Sequence, residues 1–259
     1  MAKEIKLFFT ALMFFTRIPC PAWIGYSKEL LNNSLKYFTV MGWVIGGFSA
    51  LILWISLFVF PLSVCILLSM SASILLTGAL HEDGFTDVCD SFGGGWGKEQ
   101  ILTIMKDSRI GVYGAIGIIL ILSVKFAVLY EIACHSSSVL LFSMLNAHTS
   151  SRLMALMVIQ SYNYVQDLDK SKTKPMANAK LGKSKIFFSF FTALIPMALF
   201  IDHYYLILAM PICYIPKLYL GNYFKKHIGG YTGDCVGAVQ QVCEISFYLA
   251  VLALWKFIY

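Results

Sequence analysis

The chain has 259 residues, of which 58% are hydrophobic and only 13% are charged. A soluble domain has roughly 25% charged and 45–50% apolar residues, so this composition excludes an ordinary soluble protein. The net charge of +6 does not indicate nucleic-acid binding, because basic residues in a membrane protein mainly report its orientation. The seven cysteines include no Cys-x-x-Cys pair, which argues against a zinc site and favours reduced thiols.

The first predicted element is a short apolar segment, Leu7–Phe15, which follows Lys3 and Lys6. It has the charge pattern of a signal peptide, but bulky residues follow where a cleavage site needs small ones. We therefore predict an uncleaved helix that lies at the membrane interface and ends at Arg17 and Pro19.

Long apolar runs follow along the rest of the chain, and about 20 such residues are enough to cross a bilayer. We predict an all-α, polytopic membrane bundle in which residues 1–259 form a single domain. The two spans that meet at Asp202 and His203 are expected to be short and tightly connected. The seven predicted spans are Tyr37–Phe60, Pro61–Leu80, Gly111–Ala133, Ser137–Gln160, Ile186–Ile201, Tyr204–Leu220 and Val236–Tyr259.

The positions of the basic residues predict how these spans are oriented. If the N-terminus is cytoplasmic, nearly all of the 20 Lys and Arg residues lie on the cytoplasmic side. The exceptions are Lys125, Arg152, Lys217 and Lys256. Since cytoplasmic loops carry an excess of Lys and Arg, we predict a protein of the prokaryotic inner membrane whose polar loops and active site face the cytoplasm. These loops are His81–Ile110, Ser161–Lys185 and Gly221–Cys235.

The middle polar loop has six lysines between Lys170 and Lys185. Its simplest interpretation is a solvated loop that fixes the topology and attracts anionic lipid. Contact with a substrate phosphate is the alternative.

The stretch from Thr77 to Gly117 contains six of the 14 acidic residues. Asp83, Asp87 and Asp90 have the spacing i, i+4, i+7, which places them on one face of a helix. Like charges in this arrangement repel one another, and a divalent cation would remove the repulsion. Hard carboxylate oxygens suit Mg²⁺, so we predict that these three aspartates bind it. An acidic helix cap is the alternative, but it accounts for one or two carboxylates rather than three.

Two elements suited to phosphate contact follow the aspartates. Gly93–Gly95 allow either a close approach of the backbone to a ligand or a turn between two helices, and they are not part of a P-loop. Lys106 and Arg109 follow a short amphipathic segment, Ile101–Met105, and lie three residues apart. Arginine holds phosphate through two hydrogen bonds, so this pair is suited to clasp a pyrophosphate. Anchoring at the membrane interface is the alternative.

Further polar residues lie within the predicted spans. An intramembrane arginine such as Arg152 costs about 2.5–3.5 kcal/mol on insertion scales and usually faces a polar cavity, so we place it near the metal site. Lys125 has no assigned role and pairs either with a carbonyl or with Glu131. Asp234 begins the last span, where it either caps the helix or contacts the substrate, and Glu244 follows on the same segment.

Four blocks of the sequence resemble the signatures of the CobS family, adenosylcobinamide-GDP ribazoletransferase. They are FFTRIPCP at 14–21, HEDGFTDVCDSFGGG at 81–95, MKDSRIGVYG at 105–114 and GGYTGDCVGAVQQVCE at 229–244. The resemblance covers almost the whole chain. It implies that adenosylcobinamide-GDP is joined to α-ribazole or its 5'-phosphate, with Mg²⁺ required. The products would be adenosylcobalamin, or its 5'-phosphate, and GMP.

The resemblance, taken with the residues themselves, gives a set of site residues. Asp83, Asp87 and Asp90 are assigned to the metal. The catalytic residues are Lys106, Asp107, Arg109 and Arg152, and the substrate-binding residues are Arg17, Gly94, Gly95, Asp234 and Glu244. One departure is Gln241, where the family pattern has an acidic residue.

Two other functions fit the sequence less well. CDP-alcohol phosphotransferases also have spaced aspartates, but their Asp-Gly-x-x-Ala-Arg signature is absent, since Phe85-Thr86-Asp87 follows Gly84. A secondary transporter would need inverted repeats, and no repeat relates the two halves of this chain. The expected partners are the two small-molecule substrates and the lipid bilayer, not nucleic acid. Self-association, or association with other corrinoid enzymes, is left open.

Overall fold

The computed structural model describes residues 2–165 and 180–258. Within these ranges the chain forms α-helices and shorter 3-10 segments, and an isolated bridge joins Tyr164 to Tyr231. The prediction of an all-helical bundle is therefore confirmed. The helices are α1 (Ala2–Phe15), α2 (Lys28–Ser34), α3 (Phe38–Ser56), α4 (Leu62–Thr77), α5 (Leu80–Gly94), α6 (Lys98–Ile104), α7 (Val112–His135), α8 (Ser137–Ser161), α9 (Lys183–Leu194), α10 (Ala209–Ile212), α11 (Tyr214–Ile228) and α12 (Gly233–Ile258).

Several helices end in residues that either accept a hydrogen bond from a terminal backbone N–H group or let the chain change direction. Ser136 caps α8, because its hydroxyl accepts a hydrogen bond of 3.3 Å from the backbone N–H of Val139. Gly78 ends α4 and Gly229 ends α11 in the left-handed conformation, with φ of 66° and 87°. The chain can therefore turn sharply at both glycines.

Four helical segments of the described chain are long and apolar enough to cross a membrane, and a fifth is added if α4 and α5 form one bent span. The predicted count of seven spans is thus not confirmed, although a multi-pass helical bundle is. The four segments are Lys28–Ser56, Val112–His135, Lys183–Ile228 and Gly233–Phe257.

The predicted span Ser137–Gln160 forms α8 with nearly the predicted bounds, yet it is not one of these four segments. Polar residues such as Asn146, His148 and Arg152 lower its hydropathy, and all three are buried in the protein. α8 packs against both α3 and α12. It therefore occupies the interior of the bundle, where other helices rather than lipid surround it.

The segment Lys183–Ile228 contains both of the short predicted spans, Ile186–Ile201 and Tyr204–Leu220. Its backbone leaves the helical conformation at Phe200 and His203. The break expected between the two spans is therefore present in the backbone. By length and composition, however, the whole segment counts as one membrane-spanning candidate.

Two of the predicted short connections lie together at one end of the bundle. The ring of Trp255, near the end of α12, lies 6.3 Å from the ring of His135 and 5.0 Å from that of His203, between centroids. His135 ends α7, and His203 lies at the break described above. The connections at Ser136 and Asp202 therefore share one end.

The chain bends by 89° between α4 and α5. Gly78 and Ala79 both have positive φ at this bend, 66° for Gly78 and 58° for Ala79. α5 then packs against α7 and α12. Gly84 brings the backbones of α5 and α12 together, because a Cβ atom at this position would lie 2.9 Å from the Cα of Asp234. This close packing positions the site described next.

Candidate active site

The three predicted aspartates lie on α5, as their spacing requires, and Asp234 at the start of α12 joins them. We call Asp83, Asp87, Asp90 and Asp234 the acidic cluster. The negative charges of the other three all act on the carboxylate of Asp87. No basic side chain among the described residues acts on Asp87. The cluster therefore has an uncompensated negative charge, with Asp83 exposed and the other three aspartates partly buried.

Asp90 has an additional structural role. Its Oδ2 accepts a hydrogen bond of 2.7 Å from the backbone N–H of Gly111, and its Oδ1 accepts one of 2.7 Å from that of Gly114. These N–H groups lie at the start of α7, where they have no partner inside the helix. A Cβ atom on either glycine would collide with the carboxylate of Asp90. Asp90 thus fixes α5 to the beginning of α7, while each of its oxygens keeps a free lone pair.

The donor set of the acidic cluster fits Mg²⁺ in chemical type. No group of three or more His, Cys, Asp or Glu side chains within residues 2–165 and 180–258 is already arranged around a common ion position. Mg²⁺ usually takes only one or two carboxylates from the protein and fills its other positions with water and substrate phosphates. Partial burial of Asp87, together with the repulsion from its three neighbours, disfavours its negative charge, and a bound cation would offset both effects.

The loop between α6 and α7 holds Asp107 and Arg109 in a two-pronged ion pair. The Nε of Arg109 donates to Oδ1 of Asp107 at 3.0 Å, and its second nitrogen donates to Oδ2 at 2.6 Å. These hydrogen bonds lower the pKa of Asp107 to about 2. The side chain of Arg109 is 87% exposed, and Lys106 beside it is also exposed. Both cations are therefore accessible to an anionic ligand.

The glycines after α5 differ in their surroundings. A Cβ atom on Gly95 would lie 2.8 Å from Ile101 and 3.0 Å from its backbone, and one on Gly93 would meet the ring of Tyr113. Gly94 has open space, with its nearest neighbour at 3.8 Å. Gly93 and Gly95 therefore allow α5 to pack closely against α7 and α6, which neither interpretation from the sequence included.

Arg17 lies at the bend that begins α5. Its backbone N–H donates to the carbonyl of Leu76 at 2.7 Å, and its guanidinium lies over Gly78. Its side chain is nevertheless exposed. The guanidinium is thus placed at the start of the helix that carries the acidic cluster.

A cavity of about 120 Å³ opens beside the acidic cluster. Asp83 and Asp234 belong to its wall, so the cavity and the cluster share two carboxylates. Most of the remaining wall is apolar or aromatic. It comes from α1, the segment Leu35–Phe38, the start of α5, the end of α8, the start of α12 and the bridge between Tyr164 and Tyr231.

Behind the cluster lies a second set of charged and polar side chains that is buried. We call Glu82, Lys125, His148, Arg152, Gln240, Gln241 and Glu244 the buried network. Glu244 lies at its centre with 1% of its side chain exposed, 2.5 Å from Lys125 and 3.1 Å from His148. Lys125 therefore pairs with Glu244, and Glu131, the partner considered from the sequence, is exposed.

Arg152 completes this network on α8. One of its terminal nitrogens donates to the backbone carbonyl of His148 at 2.9 Å and lies 3.2 Å from the Nδ1 atom of the same residue. The charges of Glu82 and Glu244 also act on Arg152. Arg152 is therefore buried among the polar side chains of the network, and its charged neighbours are glutamates rather than the aspartates of the acidic cluster.

Two glutamines connect the network to α5. Gln240 donates to Glu244 at 2.6 Å and to the hydroxyl of Ser151 at 3.1 Å. Gln241 donates to Oε1 of Glu82 at 3.0 Å. Because Glu82 precedes Asp83 in the chain, the network supports the helix that presents the acidic cluster.

The predicted lysine-rich loop lies largely outside the described residues. Its described part includes Lys180, whose ammonium group donates to the carbonyls of Ile159, Gln160 and Tyr162 at 2.8–3.0 Å. These carbonyls lie at the end of α8. Lys180 therefore stabilises that helix end, where a positive charge is favourable.

Comparison of the sequence with known proteins identifies the family of the chain. The family model described as cobalamin-5-phosphate synthase, CobS, matches residues 7–252. The chain belongs to the CobS family. An adenosylcobinamide-GDP ribazoletransferase of Shewanella frigidimarina is 40% identical over 252 residues, which cover 97% of this chain and 96% of that protein. One of Leptothrix cholodnii is 39% identical over 98% of this chain and 97% of that protein. No solved structure matches the chain.

The structure of this CobS protein brings some predicted site residues together and separates others. Asp83, Asp87, Asp90 and Asp234 form one cluster. Glu244, predicted to bind substrate, is buried beside Lys125 and belongs to the network behind the cluster. The loop with Lys106, Asp107 and Arg109 follows α6, which packs against α5.

The roles of Glu82, His148 and Gln240 were not predicted from the sequence. Two helical spacings carried the signal, since His148 and Arg152, like Gln240 and Glu244, are four residues apart and share a helix face. The spacing shows that two residues are neighbours on one helix. It does not show that the two pairs face each other across α8 and α12.

Proposed function

We propose that this protein joins adenosylcobinamide-GDP to α-ribazole, or to α-ribazole 5'-phosphate, and releases GMP. The product is adenosylcobalamin or its 5'-phosphate, which makes this the final assembly step of cobalamin. The observation that carries the proposal is the match to the CobS family over residues 7–252. Relatives of about 40% identity that are named for this reaction support it.

The chemistry is an attack of one hydroxyl on a diphosphate. A ribose hydroxyl of the ribazole, the 3'-OH, forms a bond to the phosphorus nearer the aminopropanol arm, and the bond from that phosphorus to the bridging oxygen of GMP breaks. The proton of the hydroxyl passes to a carboxylate such as Asp90 or to water, and GMP leaves with the bridging oxygen. Two adjacent phosphates carry negative charge that repels the nucleophile, so the site must supply positive charge to the transition state. No covalent enzyme intermediate is required.

We assign the metal site to Asp83 and Asp87, with Asp234 and the remaining lone pairs of Asp90 beside them. Mg²⁺ bound there would stabilise negative charge on the diphosphate. The four carboxylates themselves repel a phosphate. The acidic cluster therefore suits a substrate diphosphate only in the presence of a cation, so the reaction is proposed to depend on Mg²⁺.

Arg109 and Lys106 are proposed to contact the diphosphate from the loop between α6 and α7. In the structure the guanidinium of Arg109 is bound by Asp107, which keeps it in a planar, two-pronged arrangement. A carboxyl group with a pKa of about 2 is a weak proton acceptor near neutral pH. We therefore assign Asp107 to the orientation of Arg109 rather than to deprotonation of the nucleophile.

The reaction is proposed to take place at the cytoplasmic face of the inner membrane. The distribution of basic residues supports this orientation. Cysteines introduced at Gln100 and Lys226 should react with a membrane-impermeant thiol reagent only from the cytoplasmic side. Labelling of either position from outside intact cells would contradict the orientation.

The decisive experiment is turnover by the purified protein in detergent or nanodiscs. With adenosylcobinamide-GDP, α-ribazole and Mg²⁺, we expect GMP and adenosylcobalamin in equal amounts, identified by mass. Removal of Mg²⁺ with EDTA should stop the reaction, and added Mg²⁺ should restore it. Absence of both products, with a folded protein and Mg²⁺ present, would contradict the proposed function.

A further inference from the structure

The cavity beside the acidic cluster has a wall unlike that of a phosphate site. Five phenylalanine and tyrosine rings line it, together with the imidazole of His81 and several aliphatic side chains. The rings are those of Phe14, Phe15, Phe38, Tyr164 and Tyr231. Such a wall favours a flat, apolar ligand, because aromatic rings gain most from stacking or edge contacts with another ring.

The aromatic wall is held in place by contacts within the protein. The ring of Phe15 stacks on that of Phe38 with centroids 4.2 Å apart, and the ring of His81 lies parallel to Phe38 at 6.0 Å. The rings of Tyr164 and Tyr231 meet edge to face with centroids 5.5 Å apart, and two backbone hydrogen bonds join the segments that carry them. These contacts fix the positions of four of the aromatic rings in the cavity wall.

The volume of the cavity limits what it can hold. Pockets that enclose a drug-sized ligand usually have about 300–1,000 Å³, whereas this one has about 120 Å³. It accommodates a single small ring system. A corrin macrocycle, or a whole nucleotide with its phosphates, exceeds it.

We infer that this cavity receives the heteroaromatic base of the ribazole substrate. The inference rests on the proposed function and identifies where one of its two substrates binds. The ribazole base is a planar, largely apolar ring system with few hydrogen-bonding groups. Guanine, the other base in the reaction, has several donors and acceptors along its edge. Most of the wall is apolar, so burying guanine here would leave part of these groups without partners, at a cost.

The position of the cavity agrees with this assignment. Asp83 and Asp234 belong both to the cavity wall and to the acidic cluster. A base bound in the cavity therefore has its ribose next to the carboxylates, where the nucleophilic hydroxyl must meet the diphosphate. Holding a nucleophile beside its target in this way lowers the entropic part of the barrier.

Filling the cavity tests the inference. Val236 lies in the cavity wall on α12 and is only partly buried, so Val236→Phe adds a ring to the space. We expect the KM for α-ribazole to rise about tenfold or more, as for other changes of pocket volume, and the KM for adenosylcobinamide-GDP to stay within about twofold. Val242→Phe is the matched control, because Val242 is also partly buried on α12 but does not line the cavity.

A second variant keeps the test valid if Val236→Phe fails to fold. Phe14 is half-buried on α1, so Phe14→Ala removes one ring of the wall and should also raise the KM for α-ribazole selectively. Direct binding of α-ribazole, followed by its own fluorescence without the second substrate, should weaken in both variants.

The outcomes separate this inference from the proposed function. Wild-type protein that releases no GMP would contradict the proposed function itself. Wild-type turnover with an unchanged KM for α-ribazole in folded Val236→Phe and Phe14→Ala would overturn only the assignment of the cavity. A selective rise in the KM for adenosylcobinamide-GDP would instead place guanine in the cavity and would also overturn the inference.

Discussion

α5 and α12 each contribute acidic residues to two regions that differ in their electrostatic balance. In the acidic cluster, Asp87 has three like-charged neighbours and no basic one among the described residues. In the buried network, Glu244 lies 2.5 Å from Lys125 and 3.1 Å from His148. The two regions are adjacent, since Glu82 belongs to the network and Asp83 to the cluster.

The difference follows from the cost of burying charge. A carboxylate in the interior must be paired and hydrogen-bonded, because an isolated buried charge is very unfavourable. The carboxylates of the acidic cluster are exposed or only partly buried, so they tolerate the lack of a basic protein partner and can bind a cation. The buried network is therefore expected to determine stability, and the acidic cluster to determine activity.

The largest expected effect is on the activity of variants in the acidic cluster. Asp87→Asn removes one negative charge without changing shape, so turnover with Mg²⁺ should fall by about 100-fold or more, in the range known for loss of a key electrostatic group. Its melting temperature should not fall, because the substitution reduces repulsion. Glu99→Gln is the control, because Glu99 is an exposed residue of α6, and it should keep normal turnover.

Asp90→Asn sharpens the same comparison. It should lose activity and also melt earlier, because the amide keeps only one oxygen for the two backbone N–H groups of α7. The expected loss of stability is about 1 kcal/mol, typical of a lost helix cap. If Asp83→Asn, Asp87→Asn and Asp90→Asn all retained near-normal turnover with Mg²⁺, the metal assignment would be wrong.

The next effect concerns the buried network. Arg152→Ala leaves Glu82 and Glu244 with one cation fewer in the interior, which should cost about 3–5 kcal/mol if unfolding is measured in detergent. Lys125→Met should cost a similar amount. Glu131→Gln, an exposed change on the same helix as Lys125, is the control and should leave stability unchanged.

A double variant distinguishes pairing from general damage. Lys125→Met combined with Glu244→Gln removes both charges, so it should be more stable than Lys125→Met alone. A stable and fully active Arg152→Ala protein would show that this arginine is not needed by the network. Activity in the destabilised variants is expected to fall only as the folded fraction falls.

The smallest effect is expected in the loop between α6 and α7. Arg109→Lys keeps the charge but loses the two-pronged geometry, so kcat should fall about tenfold with no change in melting temperature. Because the pKa of Asp107 is about 2, this carboxyl stays ionised throughout the range above about pH 4. The acid limb of the pH–rate profile should therefore keep its position in Asp107→Asn. A shift of that limb would assign the titration to Asp107.

The sequence alone was sufficient for the helical class and for the acidic face of α5. Three aspartates spaced i, i+4, i+7 lie on one side of any helix, whatever surrounds it. The break near Asp202 was likewise visible, because two short apolar runs meet there. These features depend on local spacing, which the chain itself contains.

Contacts between distant segments could not be predicted. Asp234 joins the acidic cluster only because Gly84 lets α12 approach α5 closely. Lys125 faces Glu244 rather than Glu131 because α7 packs against α12. The interior position of α8 also depends on its neighbours, since its polar residues face protein and not lipid. None of these relations follows from the spacing along one helix.

The buried network also has a consequence for how the protein is made. Lys125 and Arg152 are synthesised well before Glu244, so α7 and α8 enter the membrane when Glu82 is the one acidic residue of the network already present. A lone basic residue at the centre of a bilayer helix costs about 2.5–3.5 kcal/mol on insertion scales. We therefore expect these two helices to remain near the translocon until α12 is inserted. Because α12 also supplies Asp234, the nascent protein gains its charge balance and its complete acidic cluster in the same late event.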